Sequence, residues 1–202
     1  MDRPKRAAIH GAMQAKGYRV FENARGFDLN IIGVRSNERR ANHFDDWMTV
    51  SYRDGLRGDW AFYAWPCTTD PGLYYLQNPL NVNGTAILKA DQYRSSHGIR
   101  KHNGRYDAVC QKRGTSITVH RDRNEDGSID LDTPVMNNGT GINIHRANAT
   151  LTSTVIGKWS AGCQVFADPT DFTIFITLAR KSRDMYGNSF TYTLLDQADL
   201  PT

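Results

Sequence analysis

Residues Trp47–Tyr52 read WMTVSY, with Met48, Val50 and Tyr52 alternating with Trp47, Thr49 and Ser51. A period of two marks a strand with one face on a core and the other toward solvent. Similar runs lie on either side: Phe27–Val34, Trp60–Trp65, Thr85–Leu88, Ile117–Arg121, Gly141–His145 and Phe190–Leu195. Helices punctuate them. Near the N-terminus, Asp2 is the expected cap and Pro4 suits the first turn; Ala8, Ile9, Ala12 and Met13 share a face, and Gly17 closes the helix. The most legible helix is DPTDFTIFITLARKSRDMYG, from Asp168 to Gly187. Asp168 is an apt cap, Pro169 takes the first helical position, and Asp171 meets the positive end of the macrodipole. Phe172, Phe175, Ile176 and Ala179 repeat at helical spacing. The sum is a mainly β single domain over residues 1–202 with peripheral helices, in which an N-terminal helix and strands (1–60) pack on a core at 85–195.

The chain has 202 residues, 39% hydrophobic and 10% aromatic, which is enough to bury a core and excludes a largely disordered chain. Lys and Arg number 25 against 21 Asp and Glu, giving a net charge of +4. That excess suits an anionic polymer, either nucleic acid or bacterial wall. No run approaches the roughly 20 apolar residues of a membrane span. The opening MDRPKRAAIHGAMQAKGY lacks the apolar segment of a signal peptide. Three cysteines, Cys67, Cys110 and Cys163, cannot all pair within the chain, which argues against a disulfide scaffold.

Residues 141–166, GINIHRANATLTSTVIGKWSAGCQVF, carry the chemistry. Ile142 and Ile144 alternate, so a strand can deliver His145 at its end. Cys163 follows Ser160, Ala161 and Gly162 in a tight turn. A catalytic thiol needs a base and backbone N–H groups to receive a developing oxyanion. A glycine before the cysteine lets consecutive amides converge on a small anion. Taken alone, these residues also fit a buried thiol and a structural histidine.

The arrangement resembles the catalytic domain of the L,D-transpeptidase family, whose motif is a histidine, a spacer and then Ser/Thr-His-Gly-Cys. The resemblance covers about Thr85 to Phe175, including GTAILKADQYRSSHGIRKHNGRYDAVCQ. It implies a β-sandwich with peripheral helices and a cysteine enzyme, needing no cofactor, that acts on peptidoglycan stem peptides. Carried over, Cys163 is the nucleophile and His145 its base. The Arg146 carbonyl orients the imidazole, the amides of Ala161, Gly162 and Cys163 form the oxyanion hole, and Ser160 braces the turn. The chain departs from the family at Ala161, where the motif has histidine, and at Gln164 and Val165. His97 and His120, in the segments preceding the motif, are expected beside substrate.

Cysteine attack on a carbonyl after an L-to-D centre gives a thioester that water or an amine resolves. With no export signal read at Met1, hydrolysis of endopeptidase or L,D-carboxypeptidase type by a bacteriophage endolysin or lytic effector is expected. Such an enzyme is made in the cytoplasm and acts as a monomer on the wall after release. L,D-transpeptidation is the alternative, and a non-catalytic nucleic-acid- or wall-binding module is the rival from another class. Lys89–Arg113 feeds that rival, with seven Lys or Arg against Asp91 and Asp107. Asp122, Asn124, Asp126 and Asp130 match the start of a calcium loop, but Thr133 stands where a bidentate carboxylate is needed; Asp126-Gly127 also reads as a hairpin turn. His97, His102 and His120 lack zinc spacing. The aromatic run WAFYAWPC, Trp60–Cys67, reads as strand core, with Cys67 and Cys110 as inert core thiols.

Overall fold

A computed structural model describes residues 1–201. Among the described residues, eleven strands and three α-helices follow one another. Helix α1 (Arg6–Ala15) leads into β1 (Asn30–Arg35), β2 (Asp46–Arg53) and β3 (Trp60–Thr68), then the single turn of α2 (Leu73–Gln77). After β4 (Thr85–Leu88) come the long β5 (Asp91–His102), β6 (Tyr106–Gln111), β7 (Val119–Asp122) and β8 (Val135–Met136). Strands β9 (Ile144–Arg146) and β10 (Gln164–Phe166) precede α3 (Pro169–Tyr186) and β11 (Phe190–Asp196).

Eight strands close in the order β1-β11-β5-β6-β9-β10-β3-β2, and β4-β7-β8 form a small separate sheet. The protein is therefore mainly β, a barrel-like sandwich in one domain, as the alternating runs predict. Its main core joins Met48, Val50, Trp65, Ile99, Val109, Ile144 and Phe166 to Phe172, Phe175 and Ile176 of α3. Asp168 caps α3 by accepting from the Thr170 and Asp171 amides. A second, smaller core of Ile9, Ala12, Met13, Ile32, Val34 and Leu195 lies under α1. That packing buries both faces of β2 where the sequence predicts one, and Ser51 hydrogen-bonds His10 at 2.9 Å.

Several boundaries move for local reasons. Helix α1 begins at Arg6 with Lys5 as its cap, so neither Asp2 nor Pro4 lies within it. The run from Phe27 becomes a strand at Asn30, because Phe27 has φ 56° and breaks the extended chain. The Asp126-Gly127 pair makes no tight hairpin, since β7 and β8 pair as Val119–Met136 and His120–Val135 across a longer loop. In that loop Asp122 accepts from the Asn124 and Asp130 amides, and Asn124 bonds Asp126. The Lys89–Arg113 segment is the β5–β6 hairpin, with Arg94, Arg100 and Lys101 exposed. Among the described residues, no helix is long and apolar enough to cross a membrane.

Candidate active site

The barrel closes through its shortest strands. β6 meets β9 at Val109 opposite Ile144, and β9 lies parallel to β10 with Ile144 beside Gln164 and His145 beside Val165. Ile144 and Phe166 point into the core, so His145 projects from the opposite face. Cys163 immediately precedes β10, next to Asn143, whose amide donates to Sγ at 3.5 Å. Two residues along one strand and one strand spacing across put the Cys163 and His145 Cα atoms roughly 8 Å apart on one face.

His145 is buried, and its Nδ1 lies 2.9 Å from the Arg146 carbonyl. A carbonyl only accepts, so Nδ1 carries the hydrogen and Nε2 keeps a lone pair. That is the tautomer a general base needs. Burial and the neighbouring His102 hold the His145 pKa down at about 4. The His102 ring stacks on His145 with centroids 4.2 Å apart, and Asn143 Nδ2 lies 3.5 Å from His102 Nδ1. Cys163 donates its thiol hydrogen to the Gly141 carbonyl at 3.2 Å. Burial pushes the thiol up to about 11. The resting pair is thus a neutral thiol and a neutral imidazole, each bonded to backbone and not to the other.

The turn before the cysteine is held at several points. Ser160 Oγ donates to the Cys163 carbonyl at 2.8 Å and accepts from the Gly162 amide at 3.2 Å. Ser160 therefore braces the turn, as its place in the motif implies. The Gly162 amide is consumed by that bond, which removes it from the expected oxyanion hole. The Ala161 and Cys163 amides remain free of hydrogen bonds among the described residues. Gly162 has φ 119°, and a Cβ there would run into the Ala86 carbonyl oxygen, so no other residue fits. Gln164 Nε2 donates to the Gly162 carbonyl at 3.3 Å, while its Oε1 accepts from Tyr192 at 2.8 Å. Since C=O and N–H point oppositely across a trans peptide, holding the Gly162 oxygen inward turns the Cys163 N–H outward.

Two clefts flank the pair. Cys163 and Ala161 line one of about 310 Å³, closed on its far side by Thr85, Ala86 and Arg121 of the small sheet. His145 lines another of about 440 Å³ with His102, Tyr106, Arg146, Lys158 and Trp159.

Two expected contacts are not made. His97 is 0% exposed, held by Ser96 Oγ at 2.7 Å and the Ile142 carbonyl at 3.0 Å, so it is a structural brace with no access to substrate. His120 alternates with Arg121 on β7, and it is Arg121 that faces the cleft. Cys67 is fully buried and its thiol is raised well above its ordinary value; Cys110 is also buried. Asn143, His102, Gln164 and Arg121 are the site residues that motif reading passes over. Gln164 shows in the sequence only as a departure from the motif, His102 only as a histidine without zinc spacing, and Arg121 only as an arginine in phase with Val119. Among the described residues, no three His, Cys, Asp or Glu side chains gather as a metal site would require.

Compared with known protein families, curated proteins and solved structures, the chain matches none of them.

Proposed function

We propose that the protein is a cysteine peptidase of L,D-transpeptidase type, hydrolysing peptidoglycan stem peptides through a thioester on Cys163. One observation carries this reading. The Cys163 thiol and an imidazole with its Nδ1–H fixed on the Arg146 carbonyl share one sheet face, beside two unpaired amides in an open cleft. The mechanism requires the Cys163 side chain to rotate away from Gly141 so that Sγ meets His145 Nε2. The proton passes to Nε2 as sulfur bonds to the substrate carbonyl carbon, and the oxyanion takes the Ala161 and Cys163 amides. The tetrahedral carbon then expels the amine, which receives the proton from Nε2, leaving a thioester. Water attacks the thioester with His145 again as base, releasing the acid and restoring the thiol. The chemistry uses only groups of this chain and water.

The test is mass spectrometry of purified muropeptides after incubation with wild type, Cys163→Ala and His145→Ala. Wild type should yield pairs of fragments whose masses sum to the substrate plus one water, absent with Cys163→Ala and reduced about 10²- to 10⁴-fold with His145→Ala. Joined peptides in place of hydrolysed ones would make the acceptor an amine and the enzyme a transpeptidase. Equal products from wild type and Cys163→Ala would overturn the mechanism. Nucleic-acid binding that survives Cys163→Ala, without any turnover, would favour a binding module on the basic β5–β6 hairpin.

A further inference from the structure

The cleft beside Cys163 contains a charge that the proposed chemistry does not use. Arg121 is 4% exposed, yet the partners of its guanidinium are all neutral. Nε and Nη2 donate to Asn138 Oδ1 at 3.1 and 2.8 Å, Nη2 also reaches the Asn138 carbonyl, and Nη1 donates to the Gly84 carbonyl at 3.2 Å. A guanidinium has five N–H groups, and these bonds leave one on Nη1 unused. A buried cation is ordinarily compensated by an acid, because desolvation without one is expensive. This one is compensated only by dipoles, is oriented by Asn138 on two sides, and lines the same cleft as Cys163 and Ala161.

We infer that Arg121 is an anion subsite for a carboxylate carried by the acyl part of the substrate. The side follows from the two clefts. The free amides that would hold the attacked carbonyl line the Arg121 cleft, whereas His145, which must protonate the departing amine, lines the other. The acyl residue therefore occupies the Arg121 cleft and the leaving group lies toward His145, Arg146 and Lys158. At about 310 Å³ the Arg121 cleft is at the small end of ligand pockets, which suits one residue with a compact acid group. The ligand class is a peptide whose attacked residue bears a free carboxylate, distinguished from the same peptide bearing a carboxamide or a lysine side chain. This assignment of sides rests on the cysteine-peptidase reading, whereas carboxylate binding by Arg121 does not.

The probes are L-Ala–γ-D-Glu–meso-diaminopimelyl–D-Ala, its diaminopimelyl carboxamide, and the L-lysyl analogue. Binding to Cys163→Ala is followed by calorimetry, and hydrolysis by wild type is followed by chromatography. The acid should bind about 10- to 100-fold more tightly than the carboxamide, the size expected of a charge-assisted contact. Arg121→Gln should bring the two to equal affinity. Arg121→Lys should recover only part of the preference, because an ammonium keeps the charge without the fork. Asn138→Ala, which leaves Arg121 in place but frees it, should weaken acid binding while leaving carboxamide binding unchanged. The comparison of acid with carboxamide needs no change at Arg121, so it stands even where Arg121→Gln fails to fold. Equal binding of acid and carboxamide overturns the subsite, whether or not hydrolysis occurs. Selective acid binding that needs Arg121, with hydrolysis of no probe and no wall, keeps the subsite and defeats the peptidase reading.

Discussion

The two pKa displacements at the site make one prediction that needs no substrate. Burial raises the Cys163 thiol from its ordinary 9.0 to about 11, and the thiol hydrogen rests on the Gly141 carbonyl. Burial and His102 lower His145 to about 4. With the cysteine above the histidine, the pair cannot exist as thiolate and imidazolium at neutral pH. A displacement of two pH units leaves about 100-fold less thiolate than a free cysteine at the same pH. Since the thiolate is the nucleophile, iodoacetamide should alkylate Cys163 at pH 7 roughly 100-fold more slowly than a small free thiol. The rate should climb about tenfold per pH unit through pH 10 without a plateau. His145→Ala should leave it unchanged, because no hydrogen bond joins the two side chains at rest. The assay is a time course of carbamidomethylation, with the peptide bearing Cys163 followed by mass spectrometry and buried Cys67 as an internal unreactive control. A rate plateau with a midpoint below pH 7, abolished by His145→Ala, would refute the argument. It would show a preformed ion pair and a different mechanism of activation.

Two further perturbations separate positioning from stability. Gln164→Leu removes the anchor of the Gly162 carbonyl and leaves the buried Tyr192 hydroxyl without an acceptor, which should lower unfolding free energy by about 1–3 kcal/mol in urea titrations. Adding Tyr192→Phe should restore most of that stability, while muropeptide turnover stays down roughly 10- to 100-fold; recovery of turnover together with stability would remove Gln164 from the positioning role. His10 is buried against Ser51, and burial with Arg6 and Arg53 nearby holds it at about 4. Its folded pKa lies below the unfolded value near 6.5, so its stabilising effect is present above pH 6.5 and is lost as pH falls toward 4. Against His10→Gln, the wild-type advantage in unfolding free energy should shrink by up to about 1.4 kcal/mol per pH unit across that window; a pH-independent difference would contradict it.

What the sequence discloses depends on whether the signal is local. Helix α3 is legible to the residue because its cap, its first-position proline and its apolar stripe are all written within it. Thr85–Leu88 is equally plain, as a short apolar run that is buried throughout. The twelve residues of β5 are not, although they form one of the longest barrel strands. Opposite β11 the register passes from Tyr192 facing Tyr93 to Phe190 facing His97, so extra residues bulge out around Ser95, whose φ is 51°. The bulge interrupts the alternation, with Arg94 and Ser95 both exposed and Ser96–Ile99 all buried, and a reading that counts by twos loses the strand. The site divides in the same way. Cys163, His145, Ser160 and the Arg146 carbonyl belong to a single continuous segment and can be read together. His102, Arg121 and Tyr192 come from β5, β7 and β11, and only folding brings them to that segment.

The departures from the Ser/Thr-His-Gly-Cys pattern show which parts of the turn carry its geometry. Ala161 stands where the motif has histidine, and the ring stacked on His145 is that of His102 from β5. The unfamiliar Gln164 is fully buried and points back beneath the turn to the Gly162 carbonyl. Between those two changes lies a peptide fixed by three independent constraints. Its glycine has a φ that other residues rarely adopt, the Ala86 carbonyl leaves no space for a Cβ, and its oxygen is held from below by Gln164. Each constraint acts on the backbone, and together they aim the Cys163 N–H into the cleft. A histidine exchanged for alanine leaves that peptide where it is, whereas a Cβ at position 162 cannot. On the proposed mechanism, the Cys163 share of the oxyanion site is therefore set by this one peptide plane, and the side chains around it are free to vary as long as that plane stays fixed.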